Sequence, residues 1–363
     1  MEYVQEGVAT LHDFGCARPA APLDRTAVVV PLTDRDHASL AAEHVLSTLG
    51  EVDPGSVVVA LRADESRVER VREWVASVDV DVDLLWCNAP AVEECLAEHG
   101  LDSPAGKGRD VWLALGVAAA RAEFVLAHDA DATTFDAADV SRLCFPLGEG
   151  YSFVKGYYAR VENDRLYGRL CRLLYEPLVA ALAETHDHPL LTYLGAFRYG
   201  LAGEFAATSG LVRRLRVQRG WGLEVGTLGD AFAAAGFEGT AQVDLGIHEH
   251  DHRAVGGPAG LSEMATDVAG ALFRVLADAG LTVDYDDLRD RYREHARRLV
   301  DQYALDAGFN GLTFDRAGER DQVDAYAGAV APPGPDTRLP PWTETDLSPE
   351  SVVAASRRAL RAA

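Results

Sequence analysis

The chain has 363 residues, of which 57 are acidic and 34 basic, so its formal net charge at pH 7 is −23. Hydrophobic residues make up 48% of it, an ordinary globular balance that excludes wholesale disorder. The negative charge opposes binding to nucleic acid or anionic lipid, and no apolar run approaches the roughly 18 residues of a membrane helix. We therefore expect neither a nucleic-acid partner nor a membrane partner.

The basic residues are almost all arginine, since only Lys107 and Lys155 are lysines. A strongly acidic surface is typical of proteins from a salty cytoplasm, and it concerns the solvent more than the function. The five cysteines show no Cys-x-x-Cys spacing and are expected to be reduced. The first six residues lack the basic and apolar regions of a secretory signal. These features predict a cytoplasmic location.

The hydrophobic pattern predicts alternating strands and helices from residue 26 onward. Residues 1–24 show no clear periodicity and are expected to form an arm. Short β-branched runs predict strands, and helical spacing predicts the helices between them. The predicted strands are 26–31, 56–61 and 80–87, and the predicted helices are 38–49 and 68–78. This β-α-β-α-β order predicts a mostly parallel sheet flanked by helices.

The second half continues the pattern and then becomes helical. It contains predicted helices at 106–122 and 168–184, and predicted strands at 123–128, 152–158 and 240–247. Residues 262–303 have helical periodicity throughout, and prolines at 332–341 indicate a linker before a short last helix. We expect an α/β domain over 25–255, a helical extension over 256–330, and a proline-rich linker and tail over 331–363.

An Asp-x-Asp pair, Asp129-Ala130-Asp131, comes directly after the predicted strand 123–128. The same spacing recurs elsewhere in this acidic chain, where a solvated turn is the simpler interpretation. Here the pair follows the carboxyl end of an apolar strand, where open α/β sheets place their ligands. Oxygen ligands suit Mg²⁺ or Mn²⁺, which usually also contact the phosphates of a substrate.

A histidine-rich segment follows the predicted strand 240–247. In an extended chain, His248, His250 and His252 point to one side. One imidazole could complete a metal site begun by Asp131, because Mn²⁺ accepts mixed oxygen and nitrogen ligands. The alternative is a solvated turn with inactive histidines.

Gly106-Lys107-Gly108 opens a predicted helix. Exposed backbone N–H groups at a helix N-terminus favour anions, and a compact ammonium is a good point contact for a diphosphate. The motif is too short for a Walker loop. An ordinary glycine-rich helix start is the alternative.

Gly220-Trp221-Gly222-Leu223-Glu224 could pack a ring against a sugar and bind its hydroxyls, or could be a helix entry with a core tryptophan. Four arginines lie in and before the predicted helix 168–184, and arginine binds carboxylate or phosphate in bidentate fashion. The alternative is pairing with neighbouring acids. These residues are Arg160, Arg165, Arg169 and Arg172.

In this order and spacing, the motifs resemble the GT-A glycosyltransferases, specifically the glucosyl-3-phosphoglycerate synthase and mannosylglycerate synthase group. The resemblance covers about residues 26–253. Its most specific stretches are Gly106–Gly108, His128–Asp131, Leu201–Thr208, Gly220–Glu224 and Gln242–His250. It implies a GT-A fold, a nucleoside-diphosphate sugar donor, a small anionic acceptor, and transfer of glucose or mannose with retention of configuration.

The resemblance also implies roles for individual residues. Metal ligation of Mg²⁺ or Mn²⁺ would fall to Asp129, Asp131 and His250. Donor contacts would come from Pro31, Leu32, Arg35, Gly106, Lys107, Asp129, Ala130, Gly203 and Glu204. Lys107 would contact the nucleotide during catalysis, Glu224 would hold sugar or acceptor hydroxyls, and Arg169 would bind the acceptor's phosphate or carboxylate.

Three departures leave donor and acceptor open. Arg35 stands where the family has a base-contacting acid, Cys171 replaces a threonine, and His252 replaces an asparagine near the acceptor. A glycan or lipid-carrier acceptor, a sugar nucleotidyltransferase, and a degenerate protein that only binds nucleotide sugar stay as alternatives. The resemblance also implies a possible homodimer through residues 262–303.

Overall fold

A mixed β-sheet organises the chain, whose computed structural model describes residues 5–251 and 257–363. Within these residues, eight strands form one sheet in the order β1-β10-β6-β9-β5-β2-β3-β4. The strands are β1 (Ala9–Leu11), β2 (Thr26–Thr33), β3 (Ser56–Arg62), β4 (Asp83–Trp86), β5 (Phe124–Ala127), β6 (Phe153–Ala159), β7 (Val161–Glu162), β8 (Arg165–Leu166), β9 (Phe205–Thr208) and β10 (Thr240–Ile247). The short pair β7 and β8 forms a separate hairpin.

Helices flank the sheet, as the sequence predicts. They are α1 (Leu40–Val52), α2 (Glu65–Ser77), α3 (Pro90–Glu98), α4 (Lys107–Ala119), α5 (Ala137–Gly148), α6 (Glu176–Thr185), α7 (Pro189–Gly195), α8 (Ser209–Val212), α9 (Leu223–Ala235), α10 (Gly257–Asp278), α11 (Tyr285–Phe309), α12 (Arg316–Tyr326) and α13 (Pro349–Ala362). A π-helical turn at Cys171–Tyr175 runs directly into α6. Helix α4 packs on β2 and β3, and α5 packs on β6, β9 and β10.

The central strands form because their residues suit a sheet that is covered on both faces. In β2 and β3 the valines are fully or almost fully buried, which is the pattern of parallel strands between helix layers. Helix α1 begins at Ser39, whose hydroxyl accepts the Ala42 N–H. Helix α5 begins with a reciprocal capping box between Asp136 and Asp139.

Strand β9 is the exception in an otherwise parallel sheet. It runs antiparallel between β5 and β6, and Phe205 lies opposite both Ala127 and Lys155. The residues just before β9 therefore lie beside the residues just after β5, at the edge where the parallel strands end. This register brings Gly203 and Glu204 next to His128 and Asp129.

The two chain ends contribute to the fold. Residues 9–11, within the predicted arm, form the edge strand β1 parallel to β10. The predicted helical stretch 262–303 is two helices, because α10 ends at Asp278 and Gly280, with φ +78°, turns the chain just beyond it. The Leu281 N–H then bonds back to the Leu276 carbonyl at 3.0 Å, a common helix ending at glycine. Helix α10 packs on α9, and α11 packs on α6.

The tail after residue 331 packs firmly on the sheet domain. Trp342 stacks on Trp112 of α4 with ring centroids 4.4 Å apart. Its indole N–H donates to the Trp112 carbonyl at 2.9 Å, and the Trp112 indole donates to Pro340 O at 2.9 Å. Gly116 is required here because a side chain would collide with the Trp342 ring. Helix α13 then packs on α3, α4 and β4.

Replacing Trp342 with alanine is expected to lower the free energy of unfolding by about 3–5 kcal/mol, because a large buried ring and its hydrogen bond are lost. Denaturant unfolding measures this difference. Trp221, which is 45% exposed, offers the matched control, and its alanine variant should stay within about 1 kcal/mol of wild type. A Trp342 variant as stable as the control would show that the tail contributes little to the fold.

All five cysteines are free thiols, and four of them are buried. None of the helices in the two described ranges is both long and apolar enough to cross a membrane.

Candidate active site

A cavity of about 150 Å³ opens at the carboxyl edge of β2, β3 and β5. Its walls come from the ends of these strands and from the first turn of α4. They are lined by Pro31, Leu32, Thr33, Asp36, Arg62, Lys107, Asp110, Asp129, Ala130 and Asp131. A larger groove of about 490 Å³ lies between α4 and α13 and contains none of the predicted site residues. The chemistry therefore favours the smaller cavity, where open α/β sheets bind ligands.

The Lys107 ammonium pairs with the Asp129 carboxylate at 2.7 Å. Lys107 is the first residue of α4, and Gly106 is its N-cap. Gly108 lets this turn approach the backbone of residues 218 and 219, where a side chain would collide. A Cβ on Gly203 would lie 3.0 Å from Asp129 Oδ2. The glycines therefore allow close backbone packing near the ion pair: Gly108 packs against residues 218 and 219, and Gly203 packs against Asp129.

Asp131 and His250 meet across the same edge, with 3.3 Å between Asp131 Oδ1 and His250 Nδ1. Their segments are joined by a bridge between Ala132 and His250, and by the Asp251 N–H, which donates to Asp131 O at 2.7 Å. Burial would raise the pKa of Asp131, but the His250 imidazole and the Lys107 charge outweigh it and lower that pKa. About half of the Asp131 side chain is exposed, so the carboxylate is accessible from the cavity.

A second lysine stands beneath the site. Lys155 in β6 is 1% exposed, and its ammonium donates to the Ala202 carbonyl at 2.5 Å. Burial lowers the pKa of Lys155 to about 8, against the opposing charges of Glu224 and Glu204. Glu224 lies in the first turn of α9. Burial raises its pKa, and the positive charges of Lys107 and Lys155 partly oppose this increase. Glu224 is therefore close enough to both lysines to interact with their charges.

Two of the residues predicted for the base pocket line the cavity, and the third, Arg35, lies outside it, so its contact with the donor stays a prediction. Pro31 and Leu32 line the cavity, but Arg35 is exposed and is absent from its lining. Arg62 and Asp110 occupy the wall instead, with 3.1 Å between Arg62 Nε and Asp110 Oδ2. Arg62 is the last residue of β3 and Asp110 lies in the first turn of α4. A charged residue at a predicted strand end and one at a predicted helix start are the sequence features that could have indicated this wall.

Asp110 should couple the stability of the protein to pH. Burial raises its pKa to about 7, although Arg62 and Arg109 oppose the shift. Between about pH 4 and pH 7 the folded state then binds more protons than the unfolded state, so this group destabilises the fold as pH rises. Relative to Asp110→Asn, the wild type should lose about 1–3 kcal/mol between pH 5 and pH 8. Denaturant unfolding of both proteins at both pH values measures this. A difference that is constant, or that grows in favour of the wild type, would contradict the raised pKa.

Glu204 lies behind the cavity. Its side chain is fully buried, and its carboxylate is 3.5 Å from His248 Nε2. His248 is also buried, whereas His250 faces Asp131. The end of β10 is irregular. Gly246 has φ +78°, and the pairing with β6 shifts register between Asp244 and Ile247. His252 lies outside the described residues.

The arginine group divides into structural and accessible members. Arg172 is buried and forms a bidentate pair with Glu319 of α12 at 2.8 and 2.9 Å, and Arg160 lies 3.2 Å from Glu162. Arg169 is 42% exposed, with its Nε 3.7 Å from the same Glu319. Arg169 follows Gly168, which adopts a φ of +76° just before the π-helical turn. Arg165, in β8, is exposed as well. Arg169 differs from it in being both held near Glu319 and open to a ligand.

The Gly-Trp-Gly segment forms the entry to α9. Trp221 is 45% exposed, and its backbone N–H donates to Asp267 at 3.1 Å. Gly222 has φ +99° and a Cβ there would crowd Ala271 of α10. The tryptophan therefore lies at the surface and is not a core residue.

A mostly parallel sheet, an Asp-x-Asp pair at its carboxyl edge and a lysine at a helix start together define a nucleotide-sugar-dependent glycosyltransferase of the GT-A type. The chain is 31% identical to the glucosyl-3-phosphoglycerate synthase of Methanococcoides burtonii, over 94% of this chain and 93% of that protein. It is 34% identical to the enzyme of the same name from Persephonella marina, over 76% and 72%. The chain belongs to the glucosyl-3-phosphoglycerate synthase family. No family model matches it.

Solved structures agree on the fold. The glucosyl-3-phosphoglycerate synthase of Mycobacterium tuberculosis in complex with Mn²⁺, uridine diphosphate and glucosyl-3-phosphoglycerate matches with a TM-score of 0.56. That match has 25% identity and covers 76% of this chain and 89% of the other. The complex of the same enzyme with phosphoglyceric acid matches with a TM-score of 0.55 at 24% identity, over 77% and 90%. The predicted fold class and the predicted enzyme class are confirmed.

Proposed function

We propose that this chain transfers the glucosyl group of a nucleoside-diphosphate glucose to 3-phosphoglycerate, with Mn²⁺ or Mg²⁺ as cofactor. The observation that supports this most strongly is the meeting of Lys107, Asp129, Asp131 and His250 at one edge of the sheet. They meet in a chain that resembles a glucosyl-3-phosphoglycerate synthase over 94% of its length. UDP-glucose is the proposed donor, because the related M. tuberculosis enzyme is described in complex with Mn²⁺ and UDP-glucose.

The residues present fit a hard divalent ion. Asp131 and His250 are 3.3 Å apart and would hold the ion, because a carboxylate and an imidazole form a mixed shell that Mn²⁺ accepts. Asp129 is engaged by Lys107 and would act nearer to the nucleotide. When bound, the ion would neutralise the negative charge of the departing nucleoside diphosphate.

The protein's own groups supply the rest of the leaving-group site. Lys107 stands at the N-terminus of α4, so an ammonium and the positive end of a helix dipole are directed at the same place. Lys155 adds a buried positive charge beneath it and holds the Ala202 carbonyl. Gly203, which lacks a side chain, leaves room for a sugar against Asp129. Glu224 can accept hydrogen bonds from sugar hydroxyls.

Arg169 is the proposed anchor of the acceptor's anionic group. Arg169→Gln is expected to raise the KM for 3-phosphoglycerate about 30-fold, because one charge-assisted contact with an anion is worth about 2 kcal/mol. The KM for the donor should stay within twofold. Steady-state kinetics with each substrate varied separately measures both values.

Arg320→Gln is the matched control, since Arg320 is also about half-exposed and also pairs with an acid, Asp301 at 3.0 Å. It should leave both KM values unchanged. An Arg169 variant with an unchanged acceptor KM would move the acceptor site away from this helix start.

A donor and acceptor matrix tests the proposed function. UDP- and GDP-linked glucose and mannose are each offered with 3-phosphoglycerate, D-glycerate or no acceptor, in molar KCl with Mn²⁺ or Mg²⁺. Release of nucleoside diphosphate is followed. We expect acceptor-dependent release that is fastest for UDP-glucose with 3-phosphoglycerate. Faster release with a GDP-sugar or with D-glycerate would replace the proposed donor or acceptor, and no release from any pair would reject the function.

A homodimer, a cytoplasmic location and adaptation to high salt stay predictions from the sequence. The mass of the protein in light scattering at high salt tests the first, and a monomeric mass would reject it.

A further inference from the structure

Three side chains of metal-binding type meet behind the active site, none of them among the residues assigned to the active-site ion. They are His128, Glu204 and His248, and their ligand atoms all lie within 4.8 Å of one another. Each side chain is at most 1% exposed. The sheet register explains the meeting, because His128 directly follows β5, Glu204 directly precedes β9, and His248 directly follows β10.

The ligand atoms in this cluster are poorly satisfied. The Nε2 atoms of both histidines and both carboxylate oxygens of Glu204 are buried without a well-formed hydrogen bond. The neighbours of the Glu204 carboxylate are His248, 3.5 Å away, and the Tyr158 hydroxyl. Leaving such groups unsatisfied inside a protein is costly, most of all for a carboxylate. A cation between them would satisfy all three side chains at once.

The ring of His128 is oriented as in a metal-binding histidine. Its Nδ1 is 2.7 Å from the Asp129 carbonyl, and a carbonyl only accepts, so Nδ1 carries the proton. Neutral His128 therefore presents a lone pair at Nε2, towards the cluster. A backbone carbonyl that fixes the tautomer from behind is the usual arrangement around metal-bound imidazoles.

An ordinary ion pair accounts for the cluster less well. His248 Nε2 is 3.5 Å from Glu204 Oε1, whereas charge-assisted N–H···O bonds are about 2.7–2.9 Å long. A proton shared between His248 and Glu204 would satisfy only those two side chains. The lone pair on His128 Nε2 would still face the Glu204 carboxylate, which is an unfavourable contact between two acceptors. Tyr158 stacks on His248 with centroids 4.3 Å apart and 15° between the planes, which limits rotation of that ring away from the cluster.

We propose that His128, Glu204 and His248 bind a second divalent ion, of the Zn²⁺ class, separate from the ion at Asp131 and His250. Two imidazoles and one carboxylate are an established zinc donor set, and Mg²⁺ disfavours such a nitrogen-rich shell. Ligand atoms on one zinc ion lie roughly 3.3–3.6 Å apart, so small side-chain rotations would close the observed spacing. Because the cluster is buried, we assign the ion a structural role: it joins the ends of β5, β9 and β10 beneath the donor site.

The test must separate this ion from the one at the active site, because the His248 and His250 rings are only 4.8 Å apart. The double variant Asp131→Asn/His250→Ala removes the active-site ligands. The full-length double variant is stripped with a chelator, incubated with Zn²⁺, passed over a desalting column, and analysed by mass spectrometry for bound metal. We expect about one zinc ion per chain, and X-ray absorption should show two imidazole ligands.

Adding Glu204→Gln to the double variant should abolish the bound zinc. Adding Glu184→Gln should not, because Glu184 pairs with one histidine, His295 at 2.9 Å, and within the described ranges it belongs to no cluster of three metal-binding side chains. Circular dichroism checks that each protein is folded. Three results would each overturn the proposal. The double variant could bind no zinc, zinc could remain bound after Glu204→Gln is added, or the spectrum could show fewer than two imidazole ligands. The first and third results do not require the Glu204 variant to fold.

Discussion

Asp131→Asn is expected to reduce metal-dependent glucosyl transfer by about a thousandfold or more, since removing a charge that stabilises the departing diphosphate costs several kcal/mol. The fold should be retained, because about half of the Asp131 side chain is exposed and the side chain contacts the partly buried His250 at the sheet edge. Initial rates of nucleoside diphosphate release over a range of Mn²⁺ concentrations measure the effect. The apparent affinity for Mn²⁺ should fall together with the rate.

The matched control is Asp81→Asn. Asp81 belongs to another Asp-x-Asp pair of the chain but is exposed near β4, outside the cavity. Its rate and Mn²⁺ dependence should equal those of the wild type. Undiminished activity in the Asp131 variant, or an equal loss in the Asp81 variant, would remove the basis for placing the metal at Asp131.

Lys107→Gln is expected to lower kcat/KM for the donor about a hundredfold, with most of the loss in kcat. The ammonium is 2.7 Å from Asp129 and stands at the start of α4, so it can stabilise charge that develops on the leaving diphosphate. Interactions that strengthen as this charge develops appear in kcat, whereas uniform binding appears in KM. Steady-state kinetics with donor varied at saturating acceptor separates the two.

Arg72→Gln provides the comparison for charge alone, because Arg72 is exposed on α2 and pairs with Glu69. Both variants remove one positive charge from a chain of net charge −23, but only Lys107 lies in the cavity. An equal effect of the two would mean that the loss reflects the overall charge of the protein. A Lys107 effect confined to KM would limit the lysine to ground-state binding.

The sequence predicts the parallel part of the sheet well, because its strands carry strong local signals. The valine runs of β2 and β3 are bounded by turns and are too short for buried helices. The position of Asp129 and Asp131 follows from the same logic, since a carboxylate pair after a buried strand must lie at the ligand-binding edge. Lys107 is likewise marked by its glycines and by the scarcity of lysine in the chain.

Strand β9 could not be predicted in the same way. It has four residues, Phe-Ala-Ala-Thr, with no alternation and only one β-branched side chain. Its antiparallel pairing between β5 and β6 is a long-range contact that leaves no periodic trace in the sequence. The burial of Glu204 against His248 follows from this pairing and could not be read from the sequence. Its role as a donor contact, which the resemblance implies, stays a prediction.

The wall formed by Arg62 and Asp110 was missed for a related reason. Arg62 is the last residue of β3 and Asp110 is the fourth residue of α4, so they are 48 positions apart and meet only in the folded sheet. In the sequence, each is an ordinary charged residue in a chain that is 25% charged. Arg35 was named because it stands where the family has a base-contacting acid; it lies outside the cavity lining, and its contact with the donor stays a prediction.

The product of the reaction tests the central claim most directly. UDP-glucose and 3-phosphoglycerate are incubated with the protein and Mn²⁺, and the mixture is followed by ¹H and ³¹P nuclear magnetic resonance. We predict that UDP appears in step with one new phosphorylated glucoside, whose anomeric proton has the small coupling of an α-linkage. Free glucose formed at the same rate without acceptor, or pyrophosphate in place of UDP, would contradict glucosyl transfer to 3-phosphoglycerate.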